Sequence, residues 1–252
     1  MTFEVDATAY WRFMGRYSEK LAVELADYAE ITAGQTVLDV GCGPGALTEV
    51  LVSRLGSQHV AAVDPSHPFV DAARTRFPEV DVRQAGAEEL PFPDDSFDAV
   101  LAELVVNFMT DPVAGIAEMA RVARPGGVLA ACVWDHGGDT GALSPFWKVA
   151  RTLDPEIDDE SGMAGVREGQ LADLFAAAGV SDIRSGKLTI HQGFTGFAEW
   201  WEPFTLGVGP AGAYVASRDA DARDALMEAC AASLPDGPFT IDASAWVARG
   251  NA

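Results

Sequence analysis

Three glycines fall at alternate positions in the stretch VLDVGCGPG (37–45): Gly41, Gly43 and Gly45, with Asp39 two residues ahead of the first. A glycine turn that follows an apolar run and opens a helix commonly cradles a nucleotide. It has no Cβ to hold the ligand off, and the helix N-terminus carries partial positive charge. Written as G-x-G-x-x-A, the stretch nearly matches the dinucleotide fingerprint. Asp64, ending the next apolar run, suits any ribose-bearing ligand, because one carboxylate accepts from both ribose hydroxyls. Asp39 separates the alternatives. A carboxylate beside the turn opposes a pyrophosphate and favours a ligand with ammonium and sulfonium centres. S-adenosylmethionine is such a ligand: it has an adenosine, no phosphate and two positive centres.

These residues need a scaffold that gathers them. Trp11, Met14, Tyr17, Leu21, Leu25 and Tyr28 recur at steps of three and four, which predicts a helix over 7–30. Apolar runs at 36–40, 59–64, 80–85, 97–103 and 128–134 read as strands, with helical segments at 46–56, 66–77 and 111–123 between them. Such alternation means a parallel sheet with helices on both faces, whose ligands sit outside the carboxyl ends of the strands. Those ends carry the glycine turn, Asp64, the 86–88 segment, Glu103 and Trp134. Further on, 168–180 reads as helix, 181–190 as strand, 221–234 as helix and 238–250 as a last strand, around a stretch dense in aromatics and glycine.

Composition narrows the partners. The 252-residue chain is 48% hydrophobic and carries a formal net charge of −21. One large α/β domain accommodates it. Its surface repels phosphate backbones and anionic lipid, so neither nucleic acid nor membrane is the expected partner. Cys42, Cys132 and Cys230 form no C-x-x-C pair and no metal-binding spacing with the four histidines. They are expected to be small buried residues in a reducing compartment, with no metal site. The sequence shows no basic-then-apolar leader and no run of about 18 apolar residues, so a cytoplasmic protein is expected. Oligomeric state is not legible.

The stretches VLDVGCGPGALT, Asp64, AEELPFPDDSFDAV and EMARVARPGGVL, in this order and spacing, resemble the successive motifs of class I S-adenosylmethionine-dependent methyltransferases. YWRFMGRYS, VVNFMTDP, VWDHGG, SPFWKVARTLDP and WWEPFTLGVGPAGAYV resemble a bacterial subgroup whose members begin with a Met-Gly-Arg-aromatic-Ser segment. The resemblance implies a Rossmann-like α/β fold: a seven-stranded, mostly parallel sheet, helices on both faces, the last strand antiparallel. It implies one domain over 1–252, with a helical lid over 1–30 and an aromatic insert over 193–234 capping the substrate. It also implies cofactor contacts. The backbone of Gly41, Cys42 and Gly43 meets the methionine end, beside Asp39. Asp64 takes the ribose hydroxyls, Pro65 packs on the adenine, and Ala87 and Glu88 lie at the adenine edge. Glu103 meets the amino acid part, and Arg16 reaches the cofactor carboxylate or braces the lid. Where the family often has Asp in a G-D-A-E segment, this chain has Gly86 in AGAE.

Methyl transfer is an in-line displacement that disperses positive charge, so a dry, well-aligned site supplies much of the rate. The expected acceptor is a small molecule, walled by Tyr10, Trp11, Tyr17, Phe108, Trp134, Trp200, Trp201 and Phe204, about half of which are expected to be plain packing. Trp147 and Trp246 are assigned to the core. His191, His136 and Glu103 are the candidate bases for an acceptor that must lose a proton. Two other readings stand beside this one: an NAD-type oxidoreductase on a doubly wound sheet, and a non-catalytic protein that binds S-adenosylmethionine.

Overall fold

The computed structural model describes residues 6–252. The chain enters through α1 (Ala7–Tyr10), a π-helical segment Trp11–Gly15 and α2 (Arg16–Tyr28), with the Asp6 carboxylate accepting from the amides of Thr8 and Ala9. The wider π-turn offsets the two halves, as an inserted residue must. Tyr10, Phe13 and Met14 face a cleft, while Leu21, Ala22, Leu25 and Ala26 are fully buried. Only the first half of the expected lid is therefore at the cleft; α2 is a core helix packed on the sheet. Residues 1–5 of that expected lid lie outside the described residues.

β1 (Val37–Val40), α3 (Ala46–Leu55), β2 (Val60–Asp64), α4 (His67–Arg76), β3 (Asp81–Gln84), β4 (Phe97–Glu103), α5 (Pro112–Val122) and β5 (Ala123–Trp134) follow. Every residue of β1 and β2 is buried, as strands covered on both faces require. Next come α6 (Ser144–Leu153), α7 (Gln170–Ala177), β6 (Ser181–Phe194), α8 (Phe197–Trp201), α9 (Gly209–Ser217), α10 (Ala220–Ser233) and β7 (Phe239–Asn251). The sheet order is β3-β2-β1-β4-β5-β7-β6. Pairing is parallel from β3 to β5, and β7 is antiparallel to both β5 and β6. This is the seven-stranded, Rossmann-like arrangement expected. The strand order reverses between β1 and β4, which sets a ligand crevice at their carboxyl ends.

The elements depart from the sequence reading in three places. β5 starts at Ala123, so the RPGG segment joins the strand rather than closing the helix, and Gly126 donates to the Ala252 carbonyl at 3.0 Å. β6 continues to Phe194, because its pairing with β7 runs through Phe239. The helices α6, α8 and α9 were not read as such.

Candidate functional site

A cleft runs across the carboxyl ends of the strands and encloses about 1230 Å³, its open mouth included. Its wall contains Gly41 and Gly43 from the turn after β1, Asp64 and Pro65 after β2, Gly86 to Glu88 after β3, Glu103 to Val105 after β4, and Trp134 and His136 after β5. With strands about 4.8 Å apart, β2 to β5 spans about 14 Å. Tyr10, Phe13 and Met14 and, from the start of α9, Val208 to Pro210 complete its lining.

The glycine turn is held by its own amides. Gly41 N and Cys42 N both donate to the Val63 carbonyl, at 2.7 and 2.9 Å, and Gly45 N donates to the Cys42 carbonyl at 2.9 Å. Gly43 N donates to Asp64 Oδ2 at 2.9 Å, and Pro44 has no N–H to offer. The turn therefore presents no row of open donors to a phosphate. Its glycines divide by duty. A Cβ on Gly41 would lie 2.4 Å from Val105 Cγ2, whereas one on Gly43 would meet only Tyr10 Cε1, at 3.9 Å, on the cleft side. Both have positive φ, 71° and 53°.

Three carboxylates sit together. Asp64 Oδ1 accepts from Ser66 N at 2.8 Å, and with the Gly43 bond this leaves acceptor capacity on both oxygens facing the cleft. Burial first raises the Asp64 carboxyl to about 6, against the pull of these amide bonds. Asp39 is pushed up to about 7, first by burial, with Asp64 adding to it against the hydrogen bonds from Thr48. Glu103 is raised well above the ordinary carboxylate range by burial and then by Asp39, and its Oε1 has no hydrogen-bond partner among the described residues. No Lys or Arg lines the cleft among the described residues.

The structure gathers Gly41, Gly43, Asp64, Pro65, Ala87, Glu88 and Glu103 in the cleft wall, with Tyr10, Phe108, Trp134 and His136. Other expectations need correction. Asp39 does not line the cleft; it lies behind the turn, bound to Thr48, and acts on the cleft through its field. Cys42 is also behind, its amide turned back to β2. Arg16 points to the insert instead, 3.4 Å from Glu199 Oε1 and over the Phe194 ring at 5.2 Å. His191 is exposed on β6 and paired with Asp242 at 2.6 Å, far from any cleft residue in the sheet order.

Five expected wall aromatics pack elsewhere. Trp11 lies under the Arg76 guanidinium at 4.5 Å, and Tyr17 stands edge-on behind Trp134 at 6.2 Å. Trp200, Trp201 and Phe204 join the core, with Phe204 stacked on Phe146 at 4.6 Å. Trp147 is in the core as expected, whereas Trp246 is only partly buried and lies under Lys187 at 4.8 Å. At Gly86, a Cβ would stand 3.3 Å from Glu88 Oε2, so the Glu88 carboxylate covers the place a side chain would fill. Glu88 Oε1 also accepts from Thr110 N at 2.8 Å, tying the loops after β3 and β4 together.

Sequence reasoning missed Asn107, Leu143, Glu160 and Val208 to Pro210 at the start of α9. It also missed Leu104, a non-glycine with φ of 60° directly after Glu103. Such strain persists where surrounding structure enforces it, often at functional sites. Among the described residues no group of His, Cys, Asp and Glu could hold a metal ion, and no helix is long and apolar enough to cross a membrane.

Residues 38–131 match the family described as "Methyltransferase domain". An uncharacterized methyltransferase of Mycobacterium bovis is 41% identical over 112 residues, 44% of each chain. Demethylmenaquinone methyltransferase of Tropheryma whipplei is 36% identical over 122 residues, 47% of this chain and 49% of the relative. The chain thus spans about half the length of these curated relatives. A Haemonchus contortus phosphoethanolamine N-methyltransferase, solved with S-adenosylhomocysteine, superposes with a TM-score of 0.59 at 20% identity, over 97% of this chain and 56% of that one; it shares the fold. The glycine turn, the acids beside it and most of the strands that carry them lie within residues 38–131, the stretch that is similar to a methyltransferase domain.

Proposed function

We propose that this chain transfers a methyl group from S-adenosylmethionine to a small, largely apolar molecule by in-line displacement. One observation carries the reading. The turn spends its amides internally, while Asp64 and Glu103 line a cleft that no Lys or Arg among the described residues enters. This suits a cofactor with positive centres and no phosphate, and disfavours the dinucleotide alternative.

Asp64, Pro65 and Gly86 to Glu88 stand at the β2–β3 end and would hold the adenosine. Gly41, Gly43 and Glu103 would hold the methionine end, leaving the β4–β5 end to the acceptor. The N-terminal helix and Val208 to Pro210 at the start of α9 supply apolar cover that excludes water, which favours a step in which charge disperses. The lack of a basic wall residue among the described residues disfavours phosphorylated or carboxylated acceptors. The name of the Tropheryma relative, a demethylmenaquinone methyltransferase, is in keeping with a flat apolar acceptor.

Calorimetric titration of the full chain tests the cofactor: saturable binding of S-adenosylmethionine and of S-adenosylhomocysteine is expected, with none of NAD. Binding of NAD alone would reverse the reading. Binding of S-adenosylmethionine with no methyl transfer to any apolar acceptor offered would favour a non-catalytic binding protein.

A further inference from the structure

Glu160 is only 3% exposed, yet it lines the cleft beside His136 at the β5 end. Its two carboxylate oxygens are used differently. Oε2 accepts a 2.8 Å hydrogen bond from the Trp147 indole of α6, which fixes the group. Oε1 accepts none among the described residues, and unlike Glu103 Oε1 it is not sealed from the cleft. His136 Nε2 stands 3.8 Å from it, beyond hydrogen-bond reach. A buried carboxylate thus keeps one oxygen open toward the cleft.

A carboxylate only accepts, so whatever meets Oε1 must bring a donor. Taking a carboxylate out of water is costly unless an opposite charge meets it. No Lys or Arg lines the cleft among the described residues. The other carboxylates in its wall are engaged: Asp64 and Glu88 accept backbone amides, and Glu103 Oε1 is sealed. Glu160 is therefore the carboxylate left to the acceptor end, in a wall that also holds the apolar side chains of Trp134, Leu143 and Val208.

A second observation lies just outside. An outer hollow shares Pro210 with the cleft and is lined by Asp154, Glu156, Asp158 and Asp159. Arg218 and Arg151 pair with Asp154 and Asp159, which leaves Glu156 and Asp158 in excess. Such a field concentrates cations beside the Glu160 end.

We propose that Glu160 Oε1 is an anchoring subsite for an alkylammonium group carried by the methyl acceptor on an apolar frame. This rests on the methyl-transfer reading above and narrows its acceptor. The anchored nitrogen keeps its protons and is not the atom methylated, which lies elsewhere on the frame. The ammonium donates to Oε1, and its charge balances the buried carboxylate. A hydroxyl would supply the donor but leave the charge unbalanced, so charge separates the two ligands.

The test uses the whole chain with S-adenosylhomocysteine saturating, so that no transfer occurs. Calorimetric titration compares 2-phenylethylamine, 2-phenylethanol and 3-phenylpropanoate at about pH 7.5, where an alkylammonium keeps its proton. The ammonium should bind about tenfold or more tighter than the alcohol, and the carboxylate weakest of the three. In Glu160→Gln the Trp147 indole must face the new carbonyl oxygen, which turns the amide NH₂ toward the opening. The variant should weaken the ammonium by about tenfold or more and the alcohol by less than about threefold, with S-adenosylhomocysteine affinity kept within about twofold. Equal binding of ammonium and alcohol by the parent would overturn the proposal; it is the result expected if an imidazolium at His136 already supplies the countercharge. Equal losses of both probes in the variant would overturn it too, as would a parent that binds S-adenosylhomocysteine and none of the probes. The parent series decides the matter by itself if Glu160→Gln does not fold. Failure to bind S-adenosylmethionine or S-adenosylhomocysteine at all would instead sink the methyl-transfer reading.

Discussion

Thr48 Oγ1 donates a 2.6 Å hydrogen bond to Asp39 Oδ2, joining the first turn of α3 to the end of β1 beneath the glycine turn. Both side chains are out of solvent, 0% and 1% exposed. Replacing Thr48 with valine keeps the shape and removes the hydroxyl donor from a buried carboxylate. A stability loss of about 1–3 kcal/mol is expected in urea unfolding, with weaker cofactor binding, and Thr48→Ser should recover most of both. An unchanged midpoint would show that the bond contributes nothing.

The carboxylates predict how cofactor stabilisation depends on pH. Burial raises Asp39 to about 7 and Asp64 to about 6, and Glu103 also upward. In the unfolded chain these groups give up their protons near pH 4. The contribution of Asp39 and Asp64 to the unliganded fold is thus fully present below that pH and is lost as pH rises through about 6 to 7. A cation in the cleft relieves the ionised forms. The rise in Tm on adding S-adenosylmethionine should therefore be larger at pH 8 than at pH 5.5, read by scanning calorimetry; an increment that shrinks with pH contradicts it.

Gly41 and Gly43 should separate folding from binding. Alanine at Gly41 drives a Cβ to 2.4 Å from Val105 and unfolds the turn, at a cost of about 3 kcal/mol or more. Alanine at Gly43 meets only Tyr10, at 3.9 Å, so about 1 kcal/mol of backbone strain is expected. Its methyl stands in the cleft, and cofactor affinity should fall by at least about tenfold, a loss of about 1.4 kcal/mol. Paired Tm and calorimetric measurements on the two variants check this.

Arg16→Ala should leave cofactor affinity within about twofold, a difference of about 0.4 kcal/mol, because the guanidinium faces Glu199 and Phe194. About 1 kcal/mol of stability should go with the ion pair and the ring contact. A tenfold loss of S-adenosylmethionine binding would restore Arg16 to the site.

What was legible follows from topology. Parallel strands deliver their carboxyl ends to one edge, so Asp64, Glu88 and Glu103 could be placed together without coordinates. Asp39 was noticed for the right charge but given the wrong position. A carboxylate inside a wholly buried strand is signalling a partner in the next layer, here Thr48, more than a ligand. Arg16 and His191 depended on tertiary approach, which spacing does not encode. Glu160 ends an acidic run, 154–160, that reads as solvated surface; its burial depends on Trp147 of α6, a helix the sequence reading did not place. The aromatic insert carried no sign of which rings would stack on Phe146 and which would face the cleft.

The trio Asp39, Asp64 and Glu103, set around a cleft without a basic residue among those described, has a consequence for turnover on the proposed reaction. The donor enters with a sulfonium; the spent cofactor leaves with an uncharged sulfur. The transfer itself thus removes a countercharge that made the donor welcome. On that reaction, exchange of spent for fresh cofactor is biased by the chemistry just completed.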